Sequence, residues 1–197
     1  MEMYSLPIGT LMHIARARGI ATNADKVTLG KKVAQSGGRK ISSSDRAEWL
    51  STGDINRVLR ATPGIDYLGT HPNDFPEFTN LLTREYPKGK TYAAVFNTDT
   101  SSGPGEHWVA IAFDDSAVCF FDSTGDLPSQ NIRKLIAHTG RRPYINKLRH
   151  QAQNTECGIF AIHFIQEFAA GKTCTAYFKT IKGDAFMKDQ VRPALGL

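Results

Sequence analysis

The stretch "HWVAIAFDDSAVCFFDS" (His107–Ser123) holds two apolar runs of strand length on either side of Asp114-Asp115. Short runs rich in Val, Ile and Phe, bounded by polar turn residues, read as an antiparallel hairpin. With the turn centred on Asp114-Asp115, Phe113 faces Ser116, and counting outward puts His107 directly opposite Asp122. Facing residues share a sheet face, with Cβ atoms about 4.5–5.5 Å apart. A carboxylate there reaches an imidazole nitrogen, fixes its tautomer and stabilises its protonated form. A four-residue loop with the same centre keeps the pairing, whereas a one-residue slip puts the two groups on opposite faces. Taken alone, the pair also reads as a surface His and Asp at strand ends. Against that, both end apolar runs that belong in a core, and a charged group beside a core needs a partner.

Outward from the hairpin, "KTYAAVF" (Lys90–Phe96) and "RPYINKLR" (Arg142–Arg149) add two strands. Ahead of them, "STGDINRVLRATPG" (Ser51–Gly64) reads as a helix capped by Ser51 or Thr52. Ile55, Val58 and Leu59 form its buried side, and it stops near Pro63-Gly64. "DFPEFTNLLTREYP" (Asp74–Pro87) and "SQNIRKLIAHTG" (Ser129–Gly140) are further helices, and "TECGIFAIHFIQEFAAG" (Thr155–Gly171) is a long one ended by Gly171. Upstream, residues 8–18 form a short amphipathic helix, Asn23 caps a stretch through Val27 and Val33, and "AQSGGRKISSSDR" (Ala34–Arg46) is a loop or linker. Helices, then strands, then helix on sheet give an α+β class. Residues 1–46 are expected to be a helical extension and 47–197 the main domain, together one compact domain.

"QAQNTECGIF" (Gln151–Phe160) places a single cysteine at the mouth of the long helix, where a structural thiol has no special reason to sit. With Asn154 or Thr155 as N-cap, Cys157 lies in the first turn, near the positive end of the helix dipole. That position and a neighbouring protonated His both lower a thiol pKa. Gly158 permits close backbone approach. A side-chain amide and the Cys157 N–H are together able to stabilise an oxyanion; Gln151 is the candidate amide and Gln153 its competitor. The plain alternative is a buried, inert thiol beside two surface glutamines.

The three cysteines, Cys119, Cys157 and Cys174, have no CxxC spacing, which argues against a disulfide framework and against a cysteine-rich zinc site. Cys119 is expected in the core, and Cys174 is expected to be inert. His13, His71, His138 and His150 have no metal-ligand spacing, and His163 reads as a packing or edge residue. No run is long and apolar enough to span a bilayer, and the N-terminus lacks a secretory signal, so an intracellular, reducing compartment is expected. A formal charge of +5 permits contact with nucleic acid without requiring it. Arg141, Arg142, Lys147 and Arg149 read first as a solvated basic face.

"GEHWVAIAFD", "CFFDSTG" and "QAQNTECGIFAIHF", in that order, resemble the His, Asp, Gln and Cys motifs of the adenain-like cysteine proteases. That superfamily includes the adenovirus maturation protease and, more distantly, the SUMO-specific proteases. The local match is best to maturation proteases of virophages and Maverick-type DNA elements. The resemblance covers roughly residues 50–170 and leaves residues 1–46 unmatched. It implies the adenain/SUMO-protease fold, a central mixed sheet with the nucleophile at the N-terminus of a long packed helix. It also implies His107 as general base and acid, Asp122 as its orienting carboxylate, Cys157 as nucleophile, Gln151 in the oxyanion hole and Trp108 in a substrate groove for small residues. The implied function is a cysteine endopeptidase that matures viral capsid or core precursors, in virions and infected cells. No metal or other cofactor is required by the sequence, while DNA or a peptide activator follows by family analogy. The expected partners are capsid or core substrates and non-specific DNA, with no membrane, and the expected state is monomeric. The rival readings are a deubiquitinase or SUMO-type isopeptidase, and a non-catalytic basic protein that binds nucleic acid structurally.

Overall fold

The computed structural model describes residues 49–74, 78–103, 105–152 and 155–197. The expected 1–46 extension, its helices, its linker and His13 lie outside the described residues. Leu50–Ala152 and Glu156–Leu197 form one compact unit.

In chain order the elements are α1 (Thr52–Arg60), β1 (Asp66–His71), α2 (Phe78–Thr83), β2 (Tyr92–Asn97), β3 (Trp108–Phe113) and β4 (Ala117–Phe121). They continue with α3 (Gln130–His138), β5 (Arg142–Ile145), α4 (Cys157–Ala169) and α5 (Cys174–Thr180). The chain ends with α6 (Asp184–Phe186), a π-helical turn (Met187–Val191) and α7 (Arg192–Ala194). The five strands make one sheet in sequence order. The central pairs β2–β3 and β3–β4 are antiparallel, and the outer pairs β1–β2 and β4–β5 are parallel. Each parallel pair needs a crossover; α2 supplies one and α3 the other.

The apolar strand runs reflect burial on both faces. Tyr92, Ala94, Phe96, Val109, Ile111, Phe113, Val118 and Phe120 pack toward Phe78 and Leu81 of α2 and Ile132, Leu135 and Ile136 of α3. The other face carries Ala93, Val95, Ala110, Ala112, Ala117, Cys119 and Phe121 beneath Ile159, Ile162, Phe164 and Ile165 of α4. Four of those seven strand residues are alanines, so the bulky side chains of α4 settle close to the sheet.

Ser51 caps α1: its Oγ accepts from the Asp54 N–H at 3.2 Å, and the Asp54 carboxylate accepts from the Ser51 N–H at 3.0 Å. Ile55 and Leu59 are fully buried, as their spacing predicts.

Three expectations need correction. Phe113 pairs with Val118 rather than Ser116. The Asp114 carboxylate draws the turn forward by accepting from the N–H groups of Ser116 and Ala117 at 2.7 and 3.0 Å. The strand expected over Arg142–Arg149 ends at Ile145, where the Asn146 side chain takes over by donating to the carbonyls of Asp122 (2.7 Å) and Leu148 (2.8 Å). Finally, Cys119 and Cys174 are joined by a disulfide, with Cα atoms 5.8 Å apart. Both cysteines are buried, as expected of Cys119. The pairing arises because α5 folds back onto the α4 face of β4, a contact between residues 55 apart that spacing does not reveal.

Candidate active site

His107 stands just before β3 and Asp122 just after β4, at one end of the central hairpin. The observed register continues to place Asp122 beside Val109, so His107 lies diagonal to it rather than directly opposite. A two-residue diagonal keeps both on one face and within reach of a long side chain. Oδ1 of Asp122 accepts from His107 Nε2 at 2.8 Å, and from the N–H and Oγ1 of Thr124 at 2.7 Å each. Asp122 is only 2% exposed. Burial is the largest single influence on this carboxyl and favours its neutral form, but the His107 charge and the bonds from His107 and Thr124 outweigh it. Its pKa therefore falls below 3.8. Burial is also the largest influence on the imidazole and favours neutrality. The Asp122 charge and hydrogen bond, joined by those of Cys157, more than offset it and hold the His107 pKa well above 6.5. Asp122 occupies Nε2, which leaves Nδ1 as the ring nitrogen for the Cys157 sulfur.

The helix cap is Glu156, one residue beyond the expected Thr155, so Cys157 is the first helical residue of α4. Asn154, the other expected cap, and Gln153, the competing amide, lie outside the described residues. The first backbone N–H groups of a helix have no partner within it, so the Cys157 N–H is available as a donor. The Glu156 side chain makes no capping bond. Instead the buried carboxylate accepts from Arg192 Nε and Nη2 at 3.2 and 3.4 Å, which ties the mouth of α4 to the C-terminal turn. Gly158 packs closely on Leu50, since a Cβ there would lie 3.0 Å from Leu50 Cβ and the leucine would have to give way. Gln151 is 4% exposed, and its side-chain oxygen accepts from Ser123 Oγ at 2.6 Å. The site thus gathers an imidazole held by a carboxylate, a thiol near enough to act on that imidazole, and a buried amide bonded to the residue after that carboxylate.

No family model matches the chain. It is 32% identical over 118 residues to a cysteine protease of African swine fever virus, covering 49% of this chain and 43% of that protein. Over 157 residues it is 30% identical to a protein named as a thiol protease in Acanthamoeba polyphaga mimivirus, covering 68% of this chain and 52% of that protein. The crystal structure of the African swine fever virus protease superposes with a TM-score of 0.57 at 19% identity, over 87% of this chain and 81% of that one. The SUMO protease Ulp1, with its catalytic cysteine oxidised to a sulfenic acid, gives a TM-score of 0.50 at 14% identity over 75% of both chains. The chain has the ubiquitin-like cysteine-protease fold. Its sequence relatives are viral cysteine proteases, and it spans about half the length of the curated relatives it matches.

Other residues of this protease fold have structural employment. Trp108, next to His107, donates its indole N–H to the Leu50 carbonyl at 3.0 Å. Arg141 of the basic stretch is a latch: it donates to the carbonyls of Asp114, Thr139 and Tyr86. Arg142 lies over the Tyr144 ring. His163 Nδ1 and the Tyr177 hydroxyl hydrogen-bond at 2.8 Å, in keeping with a packing residue. Among the described residues no group of His, Cys, Asp and Glu is placed to hold a metal ion, and no helix is long and apolar enough to cross a membrane. Ser123, Thr124 and Arg192 also bond to this constellation without standing out in the sequence. Thr124 and Ser123 were visible only as neighbours of Asp122, and Arg192 carried no signal.

Proposed function

We propose that this protein is a cysteine endopeptidase of virus maturation. The observation that carries this reading is the His107–Asp122 bond at 2.8 Å, with a cysteine at the head of a buried helix near enough to act on the same imidazole. His107 takes the Cys157 proton, and the sulfur attacks a peptide carbonyl. Asp122 stabilises the resulting imidazolium. The Cys157 N–H and the Gln151 amide donate to the tetrahedral oxyanion. His107 then protonates the leaving amine, the carbon–nitrogen bond breaks, and a thioester remains. Water, deprotonated by the same imidazole, hydrolyses the thioester and frees the thiol.

The substrates in this reading are capsid or core precursors, with Trp108 flanking the groove and small residues preferred before the scissile bond. DNA or a peptide as activator belongs to the same proposal. The viral relatives support processing of viral proteins. A second reading, a deubiquitinase or SUMO-type isopeptidase, is favoured by the fold likeness to Ulp1.

The test is to co-express viral structural precursors, and separately ubiquitin-like fusions, with wild type or Cys157→Ala and to map new termini by mass spectrometry. Cleaved precursors with wild type alone are expected. Cleavage of the ubiquitin-like fusions alone transfers the case to the isopeptidase, and equal products with Cys157→Ala end both.

A further inference from the structure

One dipeptide, Asp122-Ser123, reaches both halves of the site. Asp122 holds the imidazole. Ser123 is 1% exposed, and its Oγ donates to Gln151 Oε1 at 2.6 Å. The Ser123 carbonyl also accepts from the backbone N–H groups of His150 (2.8 Å) and Gln151 (2.9 Å). Gln151 is therefore gripped by one residue at both main chain and side chain.

The side-chain grip has a chemical consequence. A primary amide has one accepting end and one donating end of nearly the same shape. Turned one way it donates to an oxyanion; turned the other way it presents an oxygen that repels it. A hydroxyl donating to Oε1 fixes the rotation and leaves Nε2 as the end presented for donation. Burial strengthens the preference, because few water molecules compete for either end.

We propose that Ser123 is the positioning residue of the oxyanion hole, turning the Gln151 amide so that its N–H rather than its oxygen meets the developing charge. This rests on the reading of Gln151 as an oxyanion donor. The loop leaving β4 would then align base and oxyanion hole together, and a shift of that loop would disturb both.

A double-mutant cycle on peptide hydrolysis tests it, with alkylation of Cys157 by iodoacetamide as the parallel readout. Alkylation builds no oxyanion, so it reports the nucleophile and the fold but not the amide. Gln151→Ala is expected to lower kcat by about 10²–10³-fold. Ser123→Ala should lower kcat by about 10–10²-fold, as a misdirected donor loses part of that effect, with KM and alkylation rate unchanged. In the Gln151→Ala background, Ser123→Ala should add almost nothing. If Ser123→Ala yields no folded protein, Ser123→Cys takes its place in the cycle, with a smaller loss and the same non-additivity expected. Additive losses, an unchanged kcat in the Ser123 variant, or alkylation falling in step with kcat each overturn the proposal while leaving the Gln151 reading standing. An unchanged kcat in Gln151→Ala removes that reading, and the role of Ser123 with it.

Discussion

At the scale of single residues, the site is an arrangement of opposing terms. Burial disfavours charge on both His107 and Asp122, and each supports the charge of the other, helped by Cys157 at the imidazole and Thr124 at the carboxylate. The sign of the linkage follows. The raised His107 pKa contributes stability that is complete below about 6.5 and is lost as pH rises through the folded value. The depressed Asp122 pKa contributes stability that is present above about 3.8 and is lost as pH falls through the folded value. Asp122→Asn removes the Asp122 contribution and weakens that of His107. The His107 titration, followed by NMR of labelled histidine, is expected to move from well above 6.5 downward, because burial then acts against weaker opposition. Turnover should drop more than substrate affinity, as the imidazolium loses its support in the transition state. An imidazole titration unmoved by the substitution would mean that Asp122 does not set the charge of His107.

At the scale of elements, the nucleophile helix depends on a tie made far along the chain. Glu156 is 2% exposed, and Arg192 supplies charge-assisted bonds to it from the C-terminal turn. Removing one member of a buried ion pair costs about 3 kcal/mol. Arg192→Ala is therefore expected to lower the urea midpoint clearly and, by loosening the mouth of α4, to lower kcat. Adding Glu156→Gln should recover part of the stability; a midpoint equal to that of wild type in Arg192→Ala would remove the tie from the account. Elements also show what the sequence made legible. The runs of β2, β3 and β4 stand out because both sheet faces are buried, and α4 stands out because an apolar helix with a glycine stop has few alternatives. Strand β1 was illegible: all its residues are half-buried, so it has no alternation, and its pairing shifts between Tyr67 and Thr70. The segments α5 to α7 are too short for periodicity to declare. The hairpin was read two positions out of register because apolar content does not report that Asp114 would organise the turn. The face assignment survived because a shift of two preserves parity. The Ser123–Gln151 bond was hidden because it joins two polar residues 28 apart, each of which looks like a surface residue.

At the scale of the molecule, an ion pair and a disulfide help to fasten the material after the nucleophile helix to the body of the fold. One is the Glu156–Arg192 pair, and the other is the Cys119–Cys174 bond between β4 and α5. The second joins β4, the strand that leads into Asp122, to α5, the helix that follows the nucleophile helix. In the chain-entropy account, closing a loop of 55 residues restricts the unfolded chain by an amount corresponding to about 4 kcal/mol. Both sulfurs are buried, so a reductant gains access chiefly when the chain opens. Unfolding by urea with dithiothreitol present is accordingly expected to shift the midpoint downward, by an amount that Cys174→Ala reproduces without reductant. Dithiothreitol should leave the midpoint of Cys174→Ala itself unchanged. Neither cysteine of the bond is among the groups that act on His107 or Asp122, so peptide hydrolysis well below the transition is expected to persist in the variant. A wild-type midpoint indifferent to dithiothreitol would show Cys119 and Cys174 to be free thiols in solution. Loss of hydrolysis in a folded Cys174→Ala protein would instead show that the anchor holds Asp122 in place, making the disulfide a requirement of the site as well as of stability.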